Sequence, residues 1–242
     1  MAGMSAKREL RELAALMNAH GVTRCVVSPG SRNAPIAMTL EAAGFECRTV
    51  VDERSAGFVA LGWASQVQDA VAVCVTSGSA VLNLHPAVAE AYYRHIPLLI
   101  LTADRPAAWI GQQDGQTLPQ PGVFGGMVRA AYHLPEGEGN DWEVNRIINE
   151  ALLELRHRSG GPVQLNIPLN EPLFTTTEEA LPEPRIIRRT ELSCMTADDE
   201  DELLDIVARL PRRMILVASC HKAQPYRPHW SRKSNSRPWE NN

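Results

Sequence analysis

Hydrophobic and polar residues follow one another near the start of the chain in the order expected of alternating helices and strands. From residue 5 to residue 20, apolar side chains recur at steps of three and four residues, which predicts an amphipathic helix that Gly21 ends. Residues 22–27 form a β-rich apolar run that stops at a Ser-Pro-Gly turn, and residues 35–43 favour a helix with proline in its first turn. This part of the chain is therefore predicted to fold as helix, strand, tight turn and helix.

The strand, turn and helix unit recurs downstream as an architecture, although the sequence itself is not repeated. Apolar runs that predict strands lie at residues 47–51, 70–75, 97–101 and 162–167. Helical patterns lie at residues 56–68, from the turn at 76–78 through residue 93, and at 145–158. Strands that are apolar on both faces and alternate with helices indicate a parallel sheet covered on both sides. We therefore expect an α/β fold with a doubly wound parallel sheet over about residues 5–175.

The pattern of the chain changes after this predicted domain. Residues 1–175 form the predicted α/β domain, and residues 176–196, rich in Thr, Glu, Pro and Arg, are interpreted as a linker. Residues 197–220 contain a helical pattern at 198–209 and a strand-like run at 213–218. We expect this segment to be the start of an incomplete second α/β domain.

The last segment, residues 221–242, differs in composition from the rest of the chain. It contains no Val, Ile, Leu, Met or Phe, and it has five basic residues against one acidic residue. Such a segment has too little apolar surface to offset its chain entropy, so we expect a disordered basic tail. The abrupt switch after residue 220 also favours the hypothesis of an altered or truncated reading frame.

Composition and charge narrow the class of protein. The chain of 242 residues is 44% hydrophobic and 21% charged, as ordinary soluble globular proteins are, and its formal net charge is −4. A negative chain offers no general attraction to nucleic acid or to an anionic membrane, and we expect neither as a partner. Its apolar runs are too short for a membrane span, and its five cysteines are scattered without metal-ligand spacing. We expect a reduced, cytoplasmic protein with no metal site in this chain.

Polar residues cluster where the predicted parallel strands end. The segments 28–32, 52–54, 76–79 and 104–105 each follow a predicted strand. The carboxyl ends of parallel strands meet at one edge of an open α/β sheet, which is the edge that binds ligands. We therefore expect the four segments to lie together.

The first and last of these segments contain candidate anion ligands. Ser31 and Arg32 precede a predicted helix, where backbone N–H groups and a guanidinium favour a carboxylate ligand. A plain strand-to-helix turn capped by Ser31 or Asn33 explains the same residues equally well. Arg105 follows Asp104, and a surface ion pair is the ordinary explanation for residues of this kind at a strand end.

Glu53 is the candidate for handling a proton. It follows a predicted strand and begins a predicted helix, where a partly desolvated carboxylate can hold or shift a proton. Taken alone, Glu53 is better explained as an acid that interacts with the helix dipole and pairs with Arg54. The turn at 76–79 is typical of an anion-tolerant helix start, and helix capping explains it equally well. The amide-rich connection at 112–124 favours substrate contact modestly over a solvated loop.

Together, these segments resemble the N-terminal domain of a family of thiamine-diphosphate-dependent enzymes. The family is that of the 2-succinyl-5-enolpyruvyl-6-hydroxy-3-cyclohexene-1-carboxylate synthases of menaquinone biosynthesis, the MenD family. The resemblance spans about residues 5–220, and each of its motifs is weak alone while the ordered set is specific. The motifs are Ser28-Pro29-Gly30-Ser31-Arg32, Asp52-Glu53-Arg54, Val75-Thr76-Ser77-Gly78 with Asn83, Leu101-Thr102-Ala103-Asp104-Arg105-Pro106, and Gln116 with Gln120-Pro121-Gly122.

The resemblance implies a domain that binds the pyrimidine ring of thiamine diphosphate. Glu53 matches the glutamate that hydrogen-bonds N1′ of the aminopyrimidine, and this match makes it the predicted catalytic residue. Its carboxylate is needed because an amide gives no proton-sharing bond with that nitrogen. Thr76, Gly78, Asn83 and Gln116 match positions that bind the cofactor.

The same resemblance implies the substrates and the residues that contact them. Arg32 and Arg105 match arginines that face anionic substrates, Ser31 matches a neighbouring polar contact, and Gln116 matches a glutamine beside both cofactor and substrate. The implied reaction decarboxylates 2-oxoglutarate and joins the product to isochorismate. Gly115 stands where the family often has an asparagine, so that side chain is missing from the predicted site.

The resemblance finally implies that a partner completes the site. Members of the family hold Mg²⁺ and the cofactor's diphosphate with a third domain, and the pyrimidine domain of one chain faces the diphosphate domain of another. Nothing after residue 220 matches such a domain. We therefore expect a homo-oligomer or a second chain with that domain, and an N-terminal fragment that is inactive alone. Two alternatives remain. One is another thiamine-dependent 2-oxo-acid decarboxylase or carboligase, and the other is a noncatalytic binding or assembly module.

Overall fold

The computed structural model describes residues 3–137, 139–189, 201, 204, 205, 208 and 209. The chain divides into two compact units, Met1–Ser193 and Cys194–Asn242. The five described residues of the second unit are helical and lie within the helix predicted over 198–209. The strand predicted over 213–218 and the basic tail predicted over 221–242 lie outside the described residues, and the domain boundaries stay predictions.

A parallel sheet of six strands forms the centre of the first unit, in the order β3-β2-β4-β5-β7-β6. A separate antiparallel pair joins β1 to β8. The strands are β1 (Met4–Ser5), β2 (Arg24–Val27), β3 (Glu46–Thr49), β4 (Val71–Val75), β5 (Leu98–Asp104), β6 (Ala130–His133), β7 (Val163–Pro168) and β8 (Thr176–Thr177). Every residue of β4, β5 and β7 is buried, as expected of central strands that are covered on both faces.

Helices cover both faces of this sheet. They are α1 (Arg8–Ala19), α2 (Ala34–Ala42), α3 (Glu53–Val67), α4 (Ser79–Leu82), α5 (His85–Tyr93) and α6 (Asp141–Glu154). The side chains of α1, α2 and α6 pack with Leu99 and Leu101 on one face, while those of α3 and α5 pack with Leu98 and Ile100 on the other. Successive strand residues point to opposite faces, so one buried strand contributes to both cores. The predicted doubly wound α/β fold is confirmed.

Three local features differ from the sequence prediction. The helix predicted from the turn at 76–78 through 93 is split into α4 and α5, because Pro86 lies in the first turn of α5 and has no N–H to continue the preceding helix. Strand β6 was not predicted, since its four residues form no apolar run. Strand β3 is largely exposed and not apolar on both faces, because it is an edge strand.

Within the described ranges, no helix combines the length and the apolar character that a membrane crossing requires. The same residues contain no group of three or more His, Cys, Asp or Glu side chains placed to hold a metal ion.

Candidate functional site

The register of the sheet brings four strand ends together. Val27 is paired with Cys74, Val75 with Thr102, and Asp104 with Pro168, so β2, β4, β5 and β7 end side by side. We call the segments that follow the strands the rim: residues 28–33 after β2, 50–53 after β3, 76–78 after β4, 105 after β5 and 169–171 after β7. The predicted site segments therefore share one edge of the sheet.

Glu53 lies on the rim as the first residue of α3. Its neighbour Asp52 caps the helix, because the Asp52 side chain accepts a hydrogen bond of 2.8 Å from the backbone N–H of Ser55. The half-buried Glu53 carboxylate instead accepts a hydrogen bond of 3.0 Å from Nδ2 of Asn83, the residue that ends α4. The described residues show no ion pair between Glu53 and Arg54, and an amide is the partner of this carboxylate.

Two glycines allow the turns of the rim to approach one another. A Cβ atom on Gly30 would lie 2.6 Å from Cβ of Thr76, so only glycine lets the turn after β2 pack on this threonine. Gly78 has a φ of +79°, and a Cβ there would lie 2.9 Å from the backbone of Gln116. These contacts bring Thr76, Gly78 and Gln116 together beside the turn that contains Ser31 and Arg32.

The turn after β2 buries Arg32. Its Nη1 donates a hydrogen bond of 2.8 Å to the carbonyl oxygen of Leu169, and its Nη2 lies 3.2 Å from a carboxylate oxygen of Glu171. Burial and the nearby charge of Arg105 lower the pKa of Arg32, while the carboxylates of Glu171 and Asp114 oppose this shift. Arg32 is thus a buried cation whose charge is balanced by acids of the same chain.

The turn after β2 is more than a capped helix start. Asn33 occupies the N-cap position of α2, but its side chain makes no capping bond. Its Nδ2 donates 2.8 Å to the carbonyl oxygen of Ser28 and so closes the turn on itself. Ser31, which lies in this turn between Ser28 and Asn33, is exposed.

Arg105 is held by the connection between β5 and β6. Its Nε lies 2.8 Å from Oδ2 of Asp114 and donates a hydrogen bond of 3.0 Å to the carbonyl oxygen of Gly115. Because Gly115 contributes through its backbone, the missing asparagine side chain does not remove this contact. The pair Arg105 and Asp114 is partly exposed, with 25% and 31% of the side-chain surfaces accessible.

Asp104 is a buried strand residue, and its interpretation as part of a surface ion pair is wrong. Only 2% of its surface is exposed, because β5 extends to this residue in the middle of the sheet. Its carboxylate accepts hydrogen bonds of 2.8 Å from Nδ2 of Asn166 and 2.8 Å from the backbone N–H of Arg105. Burial raises the pKa of Asp104, although these hydrogen bonds oppose the shift.

Gln120 ties the long connection to three strand ends. Its Oε1 accepts a hydrogen bond of 2.7 Å from the N–H of Gly78, and its Nε2 donates to the carbonyl oxygen of Ala103 at 3.1 Å and to Oδ1 of Asn166 at 2.9 Å. The side chain is fully buried. For the connection at 112–124, the sequence favoured substrate contact modestly over a solvated loop. Gln120 has neither role in this structure, because its buried amide anchors the connection inside the protein.

The predicted site residues fall into two groups. The carboxylate end of the rim contains Glu53 and Asn83, while the arginine end contains Arg32 and Arg105. Within the part of the chain that the structure describes, no hydrogen bond or ion pair joins Glu53 to either arginine. Thr76 lies against Gly30, Gly78 lies against the backbone of Gln116, and Gln116 is exposed.

Four residues that hold the side chains of the rim in place received no role from the sequence. These are Asp114, Gln120, Asn166 and Glu171. Glu171 stands just after a predicted strand, the same signal that singled out Arg105, and Gln120 stands in one of the resemblance motifs. Asn166 carried no local signal, because its role depends on the neighbouring strand β5.

Comparisons with known proteins give a consistent assignment. The model of the family described as thiamine pyrophosphate enzyme, N-terminal TPP binding domain, matches residues 10–123. The chain is 53% identical to the 2-succinyl-5-enolpyruvyl-6-hydroxy-3-cyclohexene-1-carboxylate synthase of Bacteroides thetaiotaomicron, over 88% of this chain and 39% of that protein. The synthase of the same name from Desulfotalea psychrophila is 47% identical to this chain, over 71% of this chain and 33% of that protein.

A solved structure supports the fold. The X-ray structure of a protein from Mycobacterium smegmatis, described as a thiamin diphosphate-dependent enzyme, matches with a TM-score of 0.63 at 19% identity. The match covers 76% of this chain and 34% of the other. The chain thus spans less than two fifths of the curated relatives given above.

Proposed function

Residues 10–123 of this chain are an N-terminal TPP-binding domain of the thiamine pyrophosphate enzymes, and on that premise we propose that the chain supplies the pyrimidine side of a synthase active site. The proposed reaction is the one that the family resemblance implies, in which 2-oxoglutarate is decarboxylated and joined to isochorismate. Glu53 carries the proposal, because it is a half-buried carboxylate on the ligand-binding edge of a parallel sheet and is held by a neutral amide.

The residues around Glu53 fit an aminopyrimidine. The neutral Asn83 amide donates to Oε2 of Glu53, and among the described residues no hydrogen bond reaches Oε1, which would accept a hydrogen bond from a protonated ring nitrogen. When bound, thiamine diphosphate supplies the carbon nucleophile that attacks a 2-oxo acid and the electron sink for decarboxylation. Glu53 would hold and move the proton at the pyrimidine nitrogen, while Asn83 keeps its carboxylate in place.

The glycine turns support the same proposal. Gly30 and Gly78 let the turns of the rim pack on Thr76 and on the backbone of Gln116, which fixes these residues at the ligand-binding edge of the sheet. Thr76, Gly78 and Gln116 would contact the cofactor there, and the exposed Gln116 would also reach the substrate.

The arginine end suits anionic substrates. Arg32 and Arg105 are close enough for the charge of one to lower the pKa of the other, and planar guanidinium groups bind carboxylates through two parallel hydrogen bonds. Both proposed substrates carry carboxylates. Ser31, exposed beside Arg32, would add a hydroxyl contact.

A partner would complete this site. Val51, Phe58 and Leu82 are large apolar side chains with 79%, 44% and 44% of their surfaces exposed, and they lie within five residues of Glu53 or Asn83 along the chain. Exposed apolar groups beside a polar site mark a contact surface. We place the diphosphate-binding domain of a second chain, which would hold Mg²⁺ and the diphosphate, against these residues.

A complementation experiment tests the proposal. This chain is co-purified with the full-length Bacteroides thetaiotaomicron relative in which the glutamate matching Glu53 is changed to glutamine, so that the relative supplies the diphosphate domain but no pyrimidine carboxylate. We expect decarboxylation of 2-oxoglutarate with the wild-type chain and a loss of about 10²- to 10⁴-fold with Glu53→Gln, as for general acid–base residues.

The control for this experiment is Glu90→Gln, which removes an exposed acid from α5. This variant should retain the wild-type rate. Retention of that rate by Glu53→Gln would contradict the assigned role of Glu53. Consumption of a different 2-oxo acid in place of 2-oxoglutarate would keep the cofactor assignment and replace the substrate.

A further inference from the structure

Four charged side chains meet at the arginine end of the rim, and two of them are acids that the sequence did not single out. Arg32 faces Glu171, with Nη2 and Oε1 3.2 Å apart, and Arg105 faces Asp114, with Nε and Oδ2 2.8 Å apart. The pKa of Arg32 responds to the other three charges, which places each of them within electrostatic reach of Arg32. The cluster contains two cations and two anions.

The two ion pairs differ in exposure and in geometry. The side chain of Glu171 is 68% exposed and meets Arg32 at an outer nitrogen of the guanidinium. Asp114 is 31% exposed and meets Arg105 at Nε, the inner nitrogen, beside the hydrogen bond from that same Nε to Gly115. Glu171 therefore occupies the outer edge of Arg32, which a ligand would use, while Asp114 approaches Arg105 at the inner nitrogen Nε.

Arg32 can exchange its partner without moving. Its Nη1 is fixed by the carbonyl oxygen of Leu169 at 2.8 Å, and the residue is 8% exposed. An exposed carboxylate gains little from an ion pair and regains full hydration when it leaves. A ligand carboxylate could thus take the place of the Glu171 carboxylate on an arginine that is already oriented.

We infer that Glu171 is an internal competitor for the carboxylate site on Arg32, and that Asp114 is a positioning residue that orients Arg105 for the same ligand. The inference rests on the proposed function of the arginine end, and it gives two neighbouring acids opposite effects on anion binding. Among the described residues, no hydrogen bond is made by Nη1 or Nη2 of Arg105. Its outer edge therefore remains available for a second contact with the ligand.

Binding of 2-oxoglutarate to the 242-residue chain tests the inference. The dissociation constant is measured by titration with detection of the arginine Nε–H signals by NMR, which suits weak binding. Glu171→Gln should tighten binding about 3- to 10-fold, because it removes the competing charge while keeping the shape of the side chain. Asp114→Asn should weaken binding several-fold, because Arg105 loses the charged partner that orients it.

Matched variants separate geometry from charge. Asp114→Glu keeps the charge and moves it by one methylene, and it should also weaken binding. Glu90→Gln removes an equal charge from an exposed ion pair with Arg94 on α5 and should leave binding unchanged. Thermal unfolding of every variant shows whether the chain remains folded.

The outcomes distinguish the inference from the proposed function. If Glu171→Gln and Asp114→Asn both tighten binding, net charge alone controls the site and the inference is wrong. If wild type binds 2-oxoglutarate and Glu171→Gln binds equally or more weakly, the inference fails while the proposed anion site stands. If neither the wild type nor Glu171→Gln binds 2-oxoglutarate, the proposed substrate role of the arginine end and the inference are both wrong. Binding that appears only in Glu171→Gln supports the inference.

Discussion

The two ends of the rim hold their charges in different ways. At the carboxylate end, Glu53 is half-buried, its partner is the neutral amide of Asn83, and exposed apolar side chains lie nearby. At the arginine end, Arg32 is buried and both arginines are paired with acids of the same chain. The first arrangement pairs a carboxylate with a neutral donor, while the second prevents an uncompensated buried cation.

This difference has a consequence for stability. Next to the arginine end, Gln120 donates a hydrogen bond to Asn166, which in turn donates one to Asp104. Substituting a residue of this buried chain of hydrogen bonds leaves its partners unsatisfied. Among the described residues, the Glu53 carboxylate at the other end accepts one hydrogen bond, from Asn83. We expect the arginine end to be sensitive in stability and the carboxylate end to be sensitive in activity.

The largest expected loss of stability follows Gln120→Ala. The substitution removes three buried hydrogen bonds, to Gly78, Ala103 and Asn166, and should lower the free energy of unfolding by about 3 kcal/mol. Urea-induced unfolding measures the change. Gln116→Ala, which removes an exposed amide four residues away, should change it by less than about 0.5 kcal/mol. Equal losses in the two variants would contradict the role of Gln120 as an anchor.

A smaller loss is expected for Arg32→Met. Methionine fills much of the volume but leaves the carbonyl oxygen of Leu169 without its charged donor, at a cost of about 2 kcal/mol. The control is Arg94→Met, which breaks an exposed ion pair with Glu90 within α5 and should cost less than about 0.5 kcal/mol. If Arg32→Met unfolds at the same urea concentration as wild type, the arginine end is not a stabilising cluster.

Asp104 gives the arginine end a pH dependence. Burial raises the pKa of this carboxyl above its ordinary value of 3.8, so between 3.8 and the raised pKa the folded chain binds more protons than the unfolded chain. The free energy of unfolding should therefore fall as the pH rises through that interval. Asp104→Asn removes this contribution, so the free energy of unfolding of the variant should change less with pH in urea titrations from pH 4 upward. Identical slopes of unfolding free energy against pH in the wild type and the variant would contradict this prediction.

The smallest effect on stability is expected for Glu53→Gln. The oxygen of the new amide can still accept the hydrogen bond from Asn83, so the free energy of unfolding should stay within about 0.5 kcal/mol of wild type. Thermal and urea unfolding check this value. A loss above 1 kcal/mol would show that Glu53 supports the fold, and it would change the interpretation of the complementation experiment.

The sequence predicted the central architecture because its signals are local. Buried strands such as Val71–Val75 are continuous apolar runs, and amphipathic helices such as α1 show regular apolar spacing. Local signals failed where neighbours decide the structure. The four residues of β6 form a strand because β7 offers them a partner, and β3 is exposed because no strand lies beyond it.

For the candidate site, the sequence alone determined which chemical groups follow which strands, because the ends of parallel strands share one edge in any fold of this class. It placed Glu53, Arg32 and Arg105 on that edge. Only the tertiary structure decided their partners: Asn83 for Glu53, Glu171 for Arg32 and Asp114 for Arg105. These residues lie from 9 to 139 positions apart along the chain, and their contacts depend on strand order and loop packing, which no local pattern encodes.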